Sequence, residues 1–377
     1  MKIVHVISGL TKGGGERVVA ELANKAAEKG DIVTILAGWP VDPDFLQNSL
    51  HKTVEIKFVS NTNSFAYLKI IPWIFKNKNW LSNADVLHCH LSYGAVFGAM
   101  ARLILRKLSR KKSPVIVETN HAVGMPVPKI NRWMHSKLIR MKDGLVLMAK
   151  DPYWTEFVKK NPNLANDFIP NGIALQAPEK CEEKKQQFKK ELGIPANNKY
   201  LIGSISMLRP DRKPDLYVPI CKTIYQKLGQ DAHFILGGDG SEFEKIKLLA
   251  VENKLADIFH MPGLVNVAAE MISNFDVYVS ISVGKTTGIS MIEAAMCKVP
   301  VVGIQLTENH ESTDDDWVWS HTDLNKVAEK IIFLLENETE RKALAEEQFN
   351  FVNKHFTADA MYASYNAFYK RVISEIG

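Results

Sequence analysis

Short apolar runs recur along the chain, each closed by a loop rich in glycine, serine or charge. The first, residues 3–7, leads into Ser8-Gly9-Leu10-Thr11-Lys12-Gly13-Gly14-Gly15-Glu16. Val18, Val19, Leu22, Ala23 and Ala26 then recur at the spacing of an amphipathic helix, which the pattern ends near Gly30. Apolar runs at 32–36, 54–59, 86–90, 115–119 and 145–148 predict further strands with helical stretches between them. The pattern restarts in the second half: strand 200–205, helix 216–228, strand 233–237, helix 242–253, then strands 277–280 and 299–302. Strands alternating with helices predict βαβ units and parallel sheets. The expected fold is therefore α/β, with an open, doubly wound sheet in each half and a cleft where the two sheets face each other. Ligands of such sheets bind beyond the carboxyl ends of the strands.

The halves are joined by Pro178-Glu179-Lys180-Cys181-Glu182-Glu183-Lys184-Lys185-Gln186-Gln187, a charged surface connection entering a short helix. An earlier hinge at Ile169-Pro170-Asn171-Gly172 is equally compatible with the pattern, and residues 323–376 read as largely helical. A length of 377 residues suits two domains, and 46% hydrophobic with 24% charged residues is globular composition rather than disorder. No run approaches the ~18 apolar residues of a membrane span. The start of the chain, with His5 inside its first apolar run, is expected not to be a signal peptide. Cys89, Cys181, Cys221 and Cys297 form no C-x-x-C pair, which argues against a disulfide framework or a zinc site and for a reducing, cytoplasmic setting.

Charge divides unevenly. Residues 1–172 carry a net +11 and the remainder −6, which points to an anionic partner touching the first half. Much of the excess lies in Arg102, Arg106, Lys107, Arg110, Lys111 and Lys112, with Lys129, Arg132, Lys137, Arg140 and Lys142 beyond. A solvated helix face explains part of it. Nucleic acid is not expected, because no recognition motif accompanies the charge. An anionic membrane surface fits better, since residues 70–80 (IIPWIFKNKNW) supply interfacial aromatic and apolar groups. The competing reading of that stretch is a core helix broken by Pro72.

Candidate chemistry follows the strands. The glycines at 13–15 open a helix, whose first N–H groups suit an anion. Neither G-x-G-x-x-G nor a P-loop is present, so a nicotinamide enzyme loses its main support. His88 and His90 share one side of a strand by its two-residue period; no third metal ligand is evident, and His90, at the strand end, is the better candidate to face the cleft. Glu118-Thr119-Asn120-His121 ends the next strand. In the second half, Arg209, Arg212 and Lys213 place three cations just past a strand, suited to a diphosphate. Leu236-Gly237-Gly238-Asp239-Gly240 is another close-approach loop. Ser282 to Ala295 joins a loop, Gly288 and a helix start to Glu293, whose carboxylate can accept from two vicinal ribose hydroxyls. Asp314-Asp315-Asp316 reads as a solvated loop.

The ordered series Gly13-Gly14-x-Glu16, His88-x-His90, His121, Ile169-Pro170-Asn171-Gly172-Ile173, Arg209 to Lys213, Gly238-Asp239-Gly240 and Glu293 to Val302 resembles the retaining GT-B glycosyltransferases of family 4, across nearly the whole chain. The resemblance implies two Rossmann-like domains around a cleft: 1–172 binding the acceptor, 173–355 binding the nucleotide sugar, and a helix over 356–377 returning to the first. Glu293 would hold the ribose. The basic loop (Met207, Arg209, Arg212, Lys213), Gly288, Ile289 and Ser290, with Gly13 and Gly14, would hold the diphosphate. Gly238, Gly240 and Met261 would complete the donor side; Glu16, His90 and Asn120 would face the acceptor. His121, Arg212, Lys213 and Lys285 carry the catalytic expectation, with neither metal nor cofactor, because cations offset the charge of the leaving diphosphate. Lys285 stands where the family's Glu-x7-Glu pattern has its first glutamate, which implies either an acidic donor sugar or weakened activity. The implied function is transfer of a sugar from a nucleotide donor, UDP-linked by preference, to a lipid-carried or polysaccharide acceptor at the inner face of a bacterial membrane. A nucleotide-sugar-binding protein with weakened turnover and a UDP-sugar epimerase of the same fold are the alternatives.

Overall fold

In the computed structural model the described residues are 1–10, 14–40, 49–108, 113–121, 133, 136–148, 152–174, 176–283, 287–306 and 317–376. The chain forms two compact units, Met1–Ala174 with Phe356–Gly377, and Leu175–His355.

The first unit is built on seven parallel strands in the order β3-β2-β1-β4-β5-β6-β7. They are β1 (Lys2–Ile7), β2 (Ile32–Ala37), β3 (Glu55–Phe58), β4 (Val86–His90), β5 (Val115–Asn120), β6 (Gly144–Leu147) and β7 (Ala165–Phe168). Helices α1 (Gly14–Glu28), α2 (Ile70–Ser82), α3 (Leu91–Leu108) and α4 (Pro152–Lys159) cover the sheet. The inner strands are buried on both faces, as parallel strands under helices must be, and so read in sequence as continuous apolar runs. Residues 70–80 do form a helix, but Pro72 does not break it. Proline sits in the first turn, where its missing N–H is no loss, and the departure from helical geometry falls at Asn77.

The second unit has six parallel strands in the order β10-β9-β8-β11-β12-β13. They are β8 (Tyr200–Ile205), β9 (Ala232–Gly237), β10 (Phe259–Gly263), β11 (Val277–Val283), β12 (Val301–Gln305) and β13 (Trp319–His321). Its helices are α5 (Glu182–Glu191), α6 (Tyr217–Leu228), α7 (Phe243–Glu252), α8 (Ala268–Ile272), α9 (Ile289–Met296), α10 (Leu324–Glu336) and α11 (Glu338–His355). Its core is apolar and closed, with Ile202, Phe234, Val279 and Val302 from the strands against Val218, Ile246 and Ile331 from the helices. The last helix, α12 (Ala358–Ile376), belongs to the first unit. Ile173 and Thr357 pair in a parallel bridge, which joins the two passages of the chain at that unit.

Candidate functional site

Two loops and the start of a helix meet at the carboxyl ends of adjacent strands in the second unit. The first follows β8: Arg209 donates to both carboxylate oxygens of Asp211, at 3.1 and 3.0 Å, and Arg212 Nε lies 3.7 Å from the same group. Asp211 thus holds two guanidiniums together. Partial burial works against its charge, but the Arg209 hydrogen bonds and the two neighbouring cations hold its carboxyl below the ordinary value. Lys213 adopts φ +53°, unusual for a residue with a side chain, and turns the loop between two 3₁₀ segments with its ammonium exposed.

The second loop follows β9 and is locked to the first. Leu208 N–H donates to Asp239 O at 3.0 Å, Ser206 N–H to Gly237 O at 3.0 Å, and Gly238 N–H to Gly263 O at 2.8 Å. Gly238 (φ +128°) and Gly240 (φ +154°) are required by this interlock: a Cβ at either would strike the backbone oxygen of Ser206 or Leu208. The close approach expected at these glycines is therefore made to the neighbouring loop. Met261 lies on β10, packed against the core, while Met207 is 53% exposed beside the cations.

The third element is α9, which starts after β11. Its N-cap, Gly288, has no side chain to offer; Met291 N–H turns back to Gly288 O at 3.0 Å, while the amides of Ile289 and Ser290, ahead of the first intrahelical bond, suit an anion. Ser290 Oγ and Tyr278 Oη lie 2.8 Å apart, both within reach of Ile205 O, which ties the helix start to the end of β8. Glu293 sits on the next turn and is only 3% exposed, so it is no solvated surface glutamate. Gly13 and Lys285 lie outside the described residues, as do Arg110, Lys111, Lys112, Lys129, Arg132, the Asp314-Asp315-Asp316 run and the side chain of Lys107. A shallow groove of about 480 Å³ beside Thr223, Lys227 and Phe333 lies between α6 and α10, on helix faces away from these strand ends.

The first unit holds a histidine cluster that the sequence showed only in part. His5 on β1 is in register with His88 on β4. His5 Nδ1 lies 3.0 Å from His90 Nε2, and His90 Nδ1 lies 3.0 Å from His121 Nε2. His88 reaches Thr119 Oγ1 and Tyr369 Oη, each at 2.7 Å, and Thr119 Oγ1 lies 2.9 Å from Tyr365 Oη. Burial pushes the histidines down, His5 to about 3 and His121 to about 4, so all are neutral near pH 7. His90 is the residue expected on the acceptor side. It is 1% exposed, both ring nitrogens have histidine partners, and Asn120 beside it is 2% exposed. Glu16 is half-buried in the first turn of α1, and Gly14 is exposed at its start.

His5 is the third imidazole that a metal reading lacked: ligand atoms of His5, His88 and His90 lie within 4.8 Å of one another. Both nitrogens of His88 and of His90 are, however, already engaged in hydrogen bonds. What could have revealed His5 is its place in the middle of an otherwise apolar strand. Asp211 was equally missed, its acidic charge hidden among three cations.

The chain matches the family described as glycosyl transferases group 1 over residues 184–351 and glycosyltransferase family 4 over residues 12–175. It is 24% identical to the N-acetyl-alpha-D-glucosaminyl L-malate synthase of Bacillus anthracis, over 100% of this chain and 98% of that protein. It is 25% identical to the poly(ribitol-phosphate) alpha-N-acetylglucosaminyltransferase of Staphylococcus aureus, over 37% of this chain and 29% of that one. Among solved structures it resembles HepE of Anabaena in complex with UDP and glucose, with a TM-score of 0.77 at 17% identity over 97% of this chain and 98% of that one.

Proposed function

Because the chain belongs to the GT-B glycosyltransferases, a family 4 domain followed by a group 1 domain, we propose that it moves a sugar from UDP to a lipid-carried or polysaccharide acceptor, with retention of configuration. The observation that carries this reading is the meeting of the Arg209–Lys213 loop, the Gly238–Gly240 loop and the start of α9 at neighbouring strand ends of one sheet. Cations and uncapped amides there oppose the two charges that a diphosphate develops as it leaves, so the chemistry asks for no metal. Glu293, one turn into α9, accepts the ribose hydroxyls, and Asp211 keeps Arg209 and Arg212 oriented before the donor arrives. UDP is the preferred nucleotide because a structure of similar fold was solved with it.

The acceptor reading rests on the first unit. Phe65, Leu68, Ile71 and Phe75 are exposed on and just before α2, interleaved with exposed Lys69, Lys76 and Lys78. That mixture of apolar and basic groups suits the headgroup region of an anionic membrane on which a lipid-carried acceptor would lie. Among the described residues no helix is long and apolar enough to cross a membrane. The full-length likeness to a synthase named for L-malate brings a second acceptor class, a small hydroxy acid.

A thermal-shift screen with UDP, GDP, ADP and their sugars tests the donor, since a ligand that binds only the native form raises its melting point. UDP compounds are expected to give the largest shift; no shift from any nucleotide would overturn the reading. Nucleotide release is then followed with lipid-linked sugars, polysaccharide and malate in parallel. Release with malate alone would replace the membrane acceptor, and donor isomerisation without acceptor would make the chain an epimerase.

A further inference from the structure

The last residue of β8, Ile205, pairs on one side with Gly237 of β9. On the other side, among the described residues, the pairing of β8 with β11 ends short of it, where Gly203 meets Tyr278. Beyond that point a side chain serves the backbone. Ile205 N–H donates to Tyr278 Oη at 3.3 Å, and Ile205 O lies 3.0 Å from the same hydroxyl. Ser290 Oγ, in the first turn of α9, lies 2.8 Å from Tyr278 Oη and 3.3 Å from Ile205 O. Two hydroxyl hydrogens thus serve two needs, the oxygen–oxygen contact and the carbonyl. Either hydroxyl can take the carbonyl and leave the contact to the other, so the clasp closes in both arrangements. Tyr278 is only 1% exposed, and burial pushes its hydroxyl up to about 12, so it keeps its proton near neutral pH.

We propose that Tyr278 is a positioning residue of the anion site, fixing the cation loop and the start of α9 at one spacing before a donor arrives. Ile205 is followed at once by Ser206 and Met207, which open the loop carrying Arg209, Arg212 and Lys213. Ser290 supplies one of the two amides ahead of the first intrahelical bond of α9. One buried hydroxyl is therefore bonded both to the strand end that launches the cations and to the helix start. Phenylalanine at 278 would keep the packed ring but leave Ile205 N–H without this partner and cut the link to Ser290. Loop and helix would then sample more than one spacing, and binding would have to order them. The loss falls on the diphosphate, because uridine has no phosphate to meet the cations or the helix-start amides. That the anion is the diphosphate of a nucleotide rests on the function proposed above; the clasp does not.

Amide hydrogen exchange on the full chain tests the clasp without ligand. In Tyr278→Phe the amide of Ile205 is expected to exchange about tenfold faster, while those of Ile202 and Phe234 keep their wild-type rates. An unchanged Ile205 rate would overturn the clasp, and acceleration throughout the second unit would make Tyr278 a packing residue only. Titrations with UDP and with uridine then test the positioning role. Tyr278→Phe should weaken UDP binding about tenfold and leave uridine binding as it was. Equal losses for both ligands, or none for UDP, would overturn the role. Should that variant fail to fold, Ser290→Ala is expected to show the same selective loss, and unchanged UDP affinity there would overturn the role equally. The double variant should lose little more than either single one, since both cut the same clasp; losses that add would mean that Ser290 serves the anion independently of Tyr278. A wild-type chain that binds neither ligand would defeat the proposed function and the anion role with it, while the exchange result still decides the clasp.

Discussion

At the scale of single residues, two carboxylates with different surroundings do different work. Glu293 is held almost out of solvent one turn into α9, so its pairing with a ligand hydroxyl would be little screened. Glu293→Ala is expected to weaken UDP binding by about 1–3 kcal/mol, the cost of leaving ribose hydroxyls unmet; titration calorimetry showing unchanged affinity would take Glu293 out of the site. Asp211 instead answers to protons. Its carboxyl is lowered in the folded chain relative to ~3.9 unfolded, so the stabilisation is fully present above that value. It is lost as pH falls through the lower folded value. Urea titrations of Asp211→Asn should therefore show a stability deficit that is constant from neutral pH down to about 5 and closes below about 4. A deficit that persists in acid would mean that Asp211 acts through packing rather than charge.

Elements carry the next set of interactions, and α12 is the clearest case. It returns to the first unit and sets two buried tyrosine hydroxyls against it, Tyr369 on His88 and Tyr365 on Thr119. Tyr369→Phe leaves a ring nitrogen of His88 buried without its partner and should cost about 1–3 kcal/mol, read as a lower denaturant midpoint at unchanged slope. A midpoint equal to wild type would show that His88 finds another partner. The same scale explains what the sequence made legible. The strands that pattern reading missed, β7, β10 and β13, are all at sheet edges. Edge strands are not buried on both faces, so Ala165–Phe168 and Trp319–His321 show no apolar run, and Phe259–Gly263 contains proline and glycine. Inner strands stood out because helices cover both their faces. The strand-end loops were legible for a related reason: glycines and cations interrupt apolar runs there. His5 was not, because its partners come from β4 and from the end of β5, distant in sequence and brought together only by parallel register. At Gly238 and Gly240 the close approach made within the fold is to the Ser206 and Leu208 oxygens of the neighbouring loop, a packing that glycine composition alone does not disclose.

For the whole molecule, the uneven charge bears on the proposed membrane-borne acceptor. The +11 of residues 1–172 is spread over more than one function, because some cations are spent internally: Lys142 is buried against Glu118 at 3.1 Å, and Arg102 pairs with Asp143. Those cannot attract a membrane. Lys69, Lys76 and Lys78 are exposed around α2, and Arg106 is exposed on α3, which packs against α2. Each basic group near an anionic leaflet contributes about 1 kcal/mol, and that attraction fades as the Debye length falls from ~30 Å at 0.01 M salt to ~3 Å at 1 M. Burial of the exposed Phe65, Leu68, Ile71 and Phe75 in a headgroup region would not fade with salt. Co-sedimentation with vesicles containing anionic lipid should therefore show strong binding at low salt and a smaller, salt-resistant remainder at high salt. Ile71→Ser with Phe75→Ser should remove the remainder and leave the salt-sensitive part, while Lys76→Gln with Lys78→Gln should do the reverse. Equal binding to neutral and anionic vesicles at every salt concentration would mean that charge plays no part, and no binding at low salt would detach the acceptor from the membrane altogether.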